Sequence, residues 1–143
     1  MSEKTTTWAT SLLTELLTTS DAMSGSLGSS LYVALLKSTG TTAAGSMTNE
    51  LNTTDNPQYT RVEVARTGSD WSVTGGVGSN DNAITWAQQT SGSSTTVTFA
   101  AVCKGSTIAT DDALYFTPLT TNRTLSTGVT LEIEAGDLTI TES

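Results

Sequence analysis

Apolar positions follow two rhythms along this chain. Within residues 5–19, Trp8, Leu12, Leu13, Leu16 and Leu17 fall at i, i+4, i+5, i+8 and i+9, a single stripe at the helical period, with Thr10, Ser11, Thr14 and Glu15 off it. The spacing predicts an amphipathic helix, with N-cap hydroxyls at Thr5, Thr6 and Thr7 and a Ser/Gly connector over residues 20–26. A short helix this rich in Thr is marginal alone, because nucleation is costly and Thr is a poor helix former. Its stripe must dock, either on the chain's own β core or on a neighbouring subunit or larger assembly.

The second rhythm is that of strands. Leu31-Tyr32-Val33-Ala34-Leu35-Leu36 is an unbroken apolar run bounded by Ser, Thr and Gly, which predicts a strand buried on both faces. Residues 59–66 alternate, with Val62 and Val64 on one face and Arg61, Glu63 and Ala65 on the other, as in a half-exposed strand. Short strands are expected at residues 71–73 and 83–86, with the Gly-rich stretch 75–82 as a loop between them. Residues 95–104 predict a long core strand carrying Val97, Phe99, Ala101 and Cys103 on one face. Strands at 113–116 and 123–126 are separated by Pro118 as a terminator, and residues 130–134 and 138–141 form a final hairpin around Ala135-Gly136-Asp137. Residues 38–58 make a long polar loop.

About eight or nine short strands joined by turn signals predict an all-β fold, an antiparallel β-sandwich or jelly-roll-like body with one N-terminal amphipathic helix. Residues 1–28 read as helix and linker, a docking arm, and residues 29–143 as the β-sandwich domain. Composition agrees, since about a third of the chain is Ser plus Thr, which suits strand surfaces and turns. A single domain of 143 residues buries roughly 68 to 70% of its unfolded surface and needs no disulfide.

Charge and missing residue types narrow the function. A net charge of −8 disfavours nucleic acid phosphates and anionic lipid as partners. No apolar stretch approaches the ~20 residues of a membrane span. With one cysteine and no charged segment leading into an apolar one at the start, cytosolic synthesis is the expectation. The absence of histidine removes triads, His-based acid/base chemistry and ordinary zinc sites. Cys103 reads as a small core residue, and Asp111-Asp112 as a turn. Glu132 and Glu134 share a strand face and could pass for a glycosidase pair, but a solvated face is the simpler reading. Neither an enzyme nor a cofactor nor a metal is expected.

Several segments taken together resemble a known group. Leu31-Tyr32-Val33-Ala34-Leu35-Leu36, Tyr59-Thr60-Arg61-Val62, Asn82-Ala83-Ile84-Thr85-Trp86, Leu119-Thr120, Arg123-Thr124-Leu125-Ser126-Thr127-Gly128 and Ala135-Gly136-Asp137-Leu138-Thr139-Ile140 occur in the order seen in small tailed-phage virion proteins. Members of that group are labelled head decoration (cement) proteins or tail fibre proteins. The resemblance implies a virion structural protein with a β-sandwich body, assembled as a homotrimer. Its first implication is a capsid decoration protein that binds the major coat protein on the outer head surface and stabilises the lattice by mass action. Trp8, Leu12, Leu13, Leu16 and Leu17 would then anchor a subunit or coat-protein interface. The alternative is a tail fibre or receptor-binding module contacting a host surface glycan, with Trp71 and Trp86 as its aromatic platform.

Overall fold

In the computed structural model, residues 5–19, 27–38 and 47–142 are described. The expected connector, residues 20–26, and residues 39–46 of the long polar loop lie outside the described residues. Among the described residues the chain forms an N-terminal helix, α1 (Thr6–Thr18), and nine strands. These are β1 (Ser30–Leu36), β2 (Val62–Ala65), β3 (Trp71–Thr74), β4 (Val77–Asn80), β5 (Ile84–Thr85), β6 (Thr95–Cys103), β7 (Ala113–Leu125), β8 (Glu132–Ile133) and β9 (Thr139–Thr141). They make three antiparallel sheets, ordered β2-β1-β6-β7, β3-β4-β9 and β5-β8. The mostly β architecture with one N-terminal helix is as the periodicity predicted.

Helix α1 is capped by the Thr5 hydroxyl, which accepts from the Trp8 N–H. Its hydroxyls turn inward on the backbone: Thr10, Ser11, Thr14 and Thr18 each donate to the carbonyl four residues earlier. That satisfies these hydroxyl protons within the helix, and the Thr10 oxygen also accepts from the Gly76 N–H at 2.8 Å. Leu13, Leu16 and Leu17 are buried in the main core with Leu31, Val33 and Leu35 of β1, Trp71 of β3, Ile84 of β5 and Ile140 of β9. Helix α1 lies on the β3–β4 hairpin.

That hairpin corrects the expectation of a loop over residues 75–82. Only Gly75 and Gly76 turn, both at positive φ as a two-residue type I′ connection requires, and Val77–Asn80 is strand. A Cβ on Gly78 would stand 2.4 Å from Leu17 Cδ1, so this glycine is what lets the helix reach the strand.

The predicted final hairpin does not form. β8 pairs with β5 and β9 pairs with β4, in different sheets. Asn80 explains the divergence, because its Nδ2 donates to the Glu134 carbonyl at 2.9 Å and its Oδ1 accepts from the Leu138 N–H at 2.9 Å. The Asn80 carbonyl also accepts from the Gly136 N–H, so the turn is bonded to β4.

Strand β6 departs from simple alternation. Val97 joins the main core with Ala100 and Val102, whereas Phe99, Ala101 and Cys103 belong to a second cluster on the opposite face, with Ala34, Leu36 and Met47. The expectation that Val97 and Cys103 share a face fails because the β6–β7 register breaks between Val97 and Phe99.

Two buried arginines tie distant segments together. Arg61, expected on the exposed face of its strand, is buried instead and forks onto Glu50 through Nε at 2.8 Å and Nη2 at 2.9 Å. Its Nη1 also reaches Asp112 Oδ1 at 2.7 Å. Burial acts to lower the Arg61 pKa, but the bonds to Glu50 and Asp112 outweigh it and raise it above the ordinary value. Arg66 donates to the backbone carbonyls of Leu16, Glu15 and Gly28. It thereby meets the negative end of the α1 dipole with a cation.

Candidate functional site

The break in the β6–β7 ladder also builds the most ligand-like feature of the molecule. Val97 pairs with Arg123 and Phe99 with Pro118, so residues 119–122 of β7 stand opposite Thr98 alone and arch away from the sheet. Pro118 has no N–H to give the ladder, which suits it to the start of the arch. The strand nevertheless runs on to Leu125, so Pro118 is not the terminator the sequence predicts. Facing the arch is the segment 129–134, held in place by its pairing along residues 84–89. Ile84 pairs with Ile133 and Thr85 with Glu132, the Trp86 N–H donates to the Leu131 carbonyl, and the Gln89 N–H donates to the Val129 carbonyl.

Between arch and segment runs a groove with two ends. The inner end, about 30 Å³, has room for about one water-sized group. Its apolar walls are Leu35, Trp86, Leu119, Leu131 and Ile133, and its polar rim includes Thr120, Thr121, Arg123, Glu132 and Asp137. The outer end holds about 460 Å³ and is lined chiefly by Asn122, Arg123, Thr124, Thr130, Glu132 and Glu134. The two ends share Arg123, Leu131 and Glu132 and so lie next to each other.

The polar groups are partly committed and partly open. Thr85 Oγ1 donates to Glu132 Oε2 at 2.7 Å, which fixes that carboxylate and leaves Oε1 without a protein partner among the described residues. Arg123 is exposed and makes no ion pair among the described residues. The indole N–H of Trp86, buried at the inner end, has no hydrogen-bond acceptor among them either. The groove can therefore offer donors from Arg123 and acceptors from Glu132 and Glu134. No group of three or more His, Cys, Asp and Glu among the described residues could hold a metal ion.

The residues singled out by sequence fall in three places. Leu13, Leu16 and Leu17 are in the chain's own core, so in this fold they are not open to a partner, and Leu12 is half-buried. Trp8 stays 60% exposed at the start of α1. Trp71 and Trp86 are 1% and 4% exposed, so neither offers a face for stacking and the proposed aromatic platform does not exist as such. Trp71 spends its indole N–H on the Ala65 carbonyl. Glu132 and Glu134 stand out in the sequence but their opposite wall does not, because only the β6–β7 pairing brings Asn122, Arg123 and Thr124 beside them. The signal available was a proline inside a long Thr-rich strand.

A protein-family model described as Podophage GP4 fiber I protein gp80 matches residues 3–141. The chain belongs to this family. As a member of a phage fibre family it is a bacteriophage virion structural protein, in agreement with the resemblance read from its ordered segments. The match spans α1, all three sheets and both walls of the groove. No curated protein matches the chain. Among the described residues no helix is long and apolar enough to cross a membrane.

Proposed function

We propose that this virion protein is a tail-fibre subunit that contacts a saccharide on the host surface, acting by binding and not by chemistry. The observation that carries the reading is the β7–β8 groove, whose outer end of about 460 Å³ is of small-ligand size and lined mainly by hydroxyl, amide, guanidinium and carboxylate groups. Sugar hydroxyls both donate and accept, so a surface alternating Thr, Asn, Arg and Glu matches them better than an apolar cleft would. Membership of a fibre family supports a position on the tail. Neither nucleic acid nor membrane is a partner on this reading, since the net charge of −8 opposes both. The test is competition: the purified chain should bind host cells and slow phage adsorption in a dose-dependent way. A chain that does neither would sink the reading.

A second reading is favoured by one observation, the exposed indole of Trp8. An exposed Trp at a helix start is the kind of anchor a protein interface uses. It would suit a homotrimer that decorates the outer head surface and binds the major coat protein. Quantitative mass spectrometry of purified particles separates the two. A copy number comparable to the coat protein means decoration, and a few copies per particle means a fibre.

A further inference from the structure

The ligand class follows from the charges and the inner end of the groove. We propose that the β7–β8 groove is a saccharide site that takes neutral or amino-bearing sugars and rejects acidic ones, with one sugar hydroxyl entering the inner end beside Trp86. This rests on the saccharide-contact reading above and specifies its site and selectivity.

The lining includes one arginine, Arg123, against three carboxylates, Glu132, Glu134 and Asp137, a formal charge of −2. A sugar carboxylate or sulfate placed there meets net repulsion, whereas an ammonium meets attraction. Hydroxyls bind without a charge penalty: Glu132 Oε1 can accept, and Arg123 can donate from a rigid fork that orients vicinal oxygens. The inner end of about 30 Å³ matches a hydroxyl in size, and Trp86 is part of its apolar wall.

The experiment uses the full chain labelled with ¹⁵N and three probes at millimolar concentration: chitotriose (neutral), the fully deacetylated chitosan trimer (amino-bearing) and trigalacturonate (acidic). The expected result is a shift of the Trp86 indole resonance with the first two. Affinity for the acidic probe should be weaker by about tenfold at low salt, with the gap closing as salt rises. Arg123→Ala and Glu132→Gln should each weaken binding of the neutral probe several-fold with the fold intact. Both side chains are exposed, so these variants test the site and not the core. Binding of none of the probes, preference for the acidic one, or binding unchanged in both variants would overturn the proposal. Adsorption separates the two ideas. If the variants lose the probe while still competing with phage as well as the parent chain, the site stands and its role in host contact falls. If parent and variants compete equally and bind the probe equally, the groove assignment falls and the fibre reading stands.

Discussion

The guanidinium of Arg66 donates through Nε to the carbonyl of Leu16 at 2.7 Å, joining the residue after β2 to the last turn of α1. With Nη2 on Glu15 and Nη1 on Gly28, one fully buried side chain satisfies carbonyls that a helix end would otherwise leave open. It does for α1 what the leucine stripe cannot do alone, which is to fix where along the hairpin the helix stops.

Arg66→Met should therefore cost about 3 kcal/mol or more, since it removes charge-assisted bonds and leaves buried carbonyls unpaired. Urea unfolding measures it. A loss below about 1 kcal/mol would mean that the leucines alone hold the helix.

Gly78→Ala should destabilise by about 1 to 3 kcal/mol, because the new methyl overlaps Leu17 Cδ1. Leu17→Ala alone should cost about 2 to 5 kcal/mol. The double variant should be more stable than the sum predicts by at least about 0.5 kcal/mol, since the alanine then has space. Strict additivity would show that the two sites do not touch.

For the buried ion network, Arg61→Met should cost about 3 to 5 kcal/mol, because Glu50 stays buried without its cation. Adding Glu50→Leu should recover part of that loss, though Tyr59 and the Ala109 N–H then lose their acceptor. A double variant less stable than the single one would contradict this account.

Alkaline pH should unfold the chain progressively. Burial pushes the Cys103 thiol from 9.0 up to about 12. Burial, then Glu50, raises the Tyr59 phenol, and burial with the Glu142 hydrogen bond raises that of Tyr115. These groups keep their protons when folded at a pH where the unfolded chain loses them. Stability is thus unaffected by them below about pH 9 and falls as pH rises beyond it, by up to about 1.4 kcal/mol per pH unit for each group. Denaturant midpoints between pH 8 and pH 11 test this, and Tyr115→Phe should flatten the fall. A midpoint that held constant over that range would refute it.

Trp8→Ser should leave stability within about 0.5 kcal/mol, since its side chain is exposed. If Trp8 anchors an interface, the same change should lower the sedimentation coefficient or the incorporation into particles. An unchanged assembly would remove the main support for the decoration reading.

Local periodicity alone determined the helix stripe, the doubly buried β1, the alternation of Val62 and Val64, and hence a β body with one helix. Each of these depends on neighbours within a few residues, and the pattern of side chains carries that information directly. Tertiary structure decided the rest. Arg66 reads as a polar residue at a strand end until its partners, 38 to 51 residues earlier in the chain, come beside it. Arg61 reads as an outward residue until Glu50 and Asp112 close on it from two loops. The turn between β8 and β9 looks like a hairpin until Asn80 bonds its backbone across sheets. The groove likewise needs an arch in β7, set by pairing with β6, and a facing segment set by pairing along residues 84–89. Long-range hydrogen bonds chose these arrangements because buried polar groups must find partners wherever the folded chain provides them.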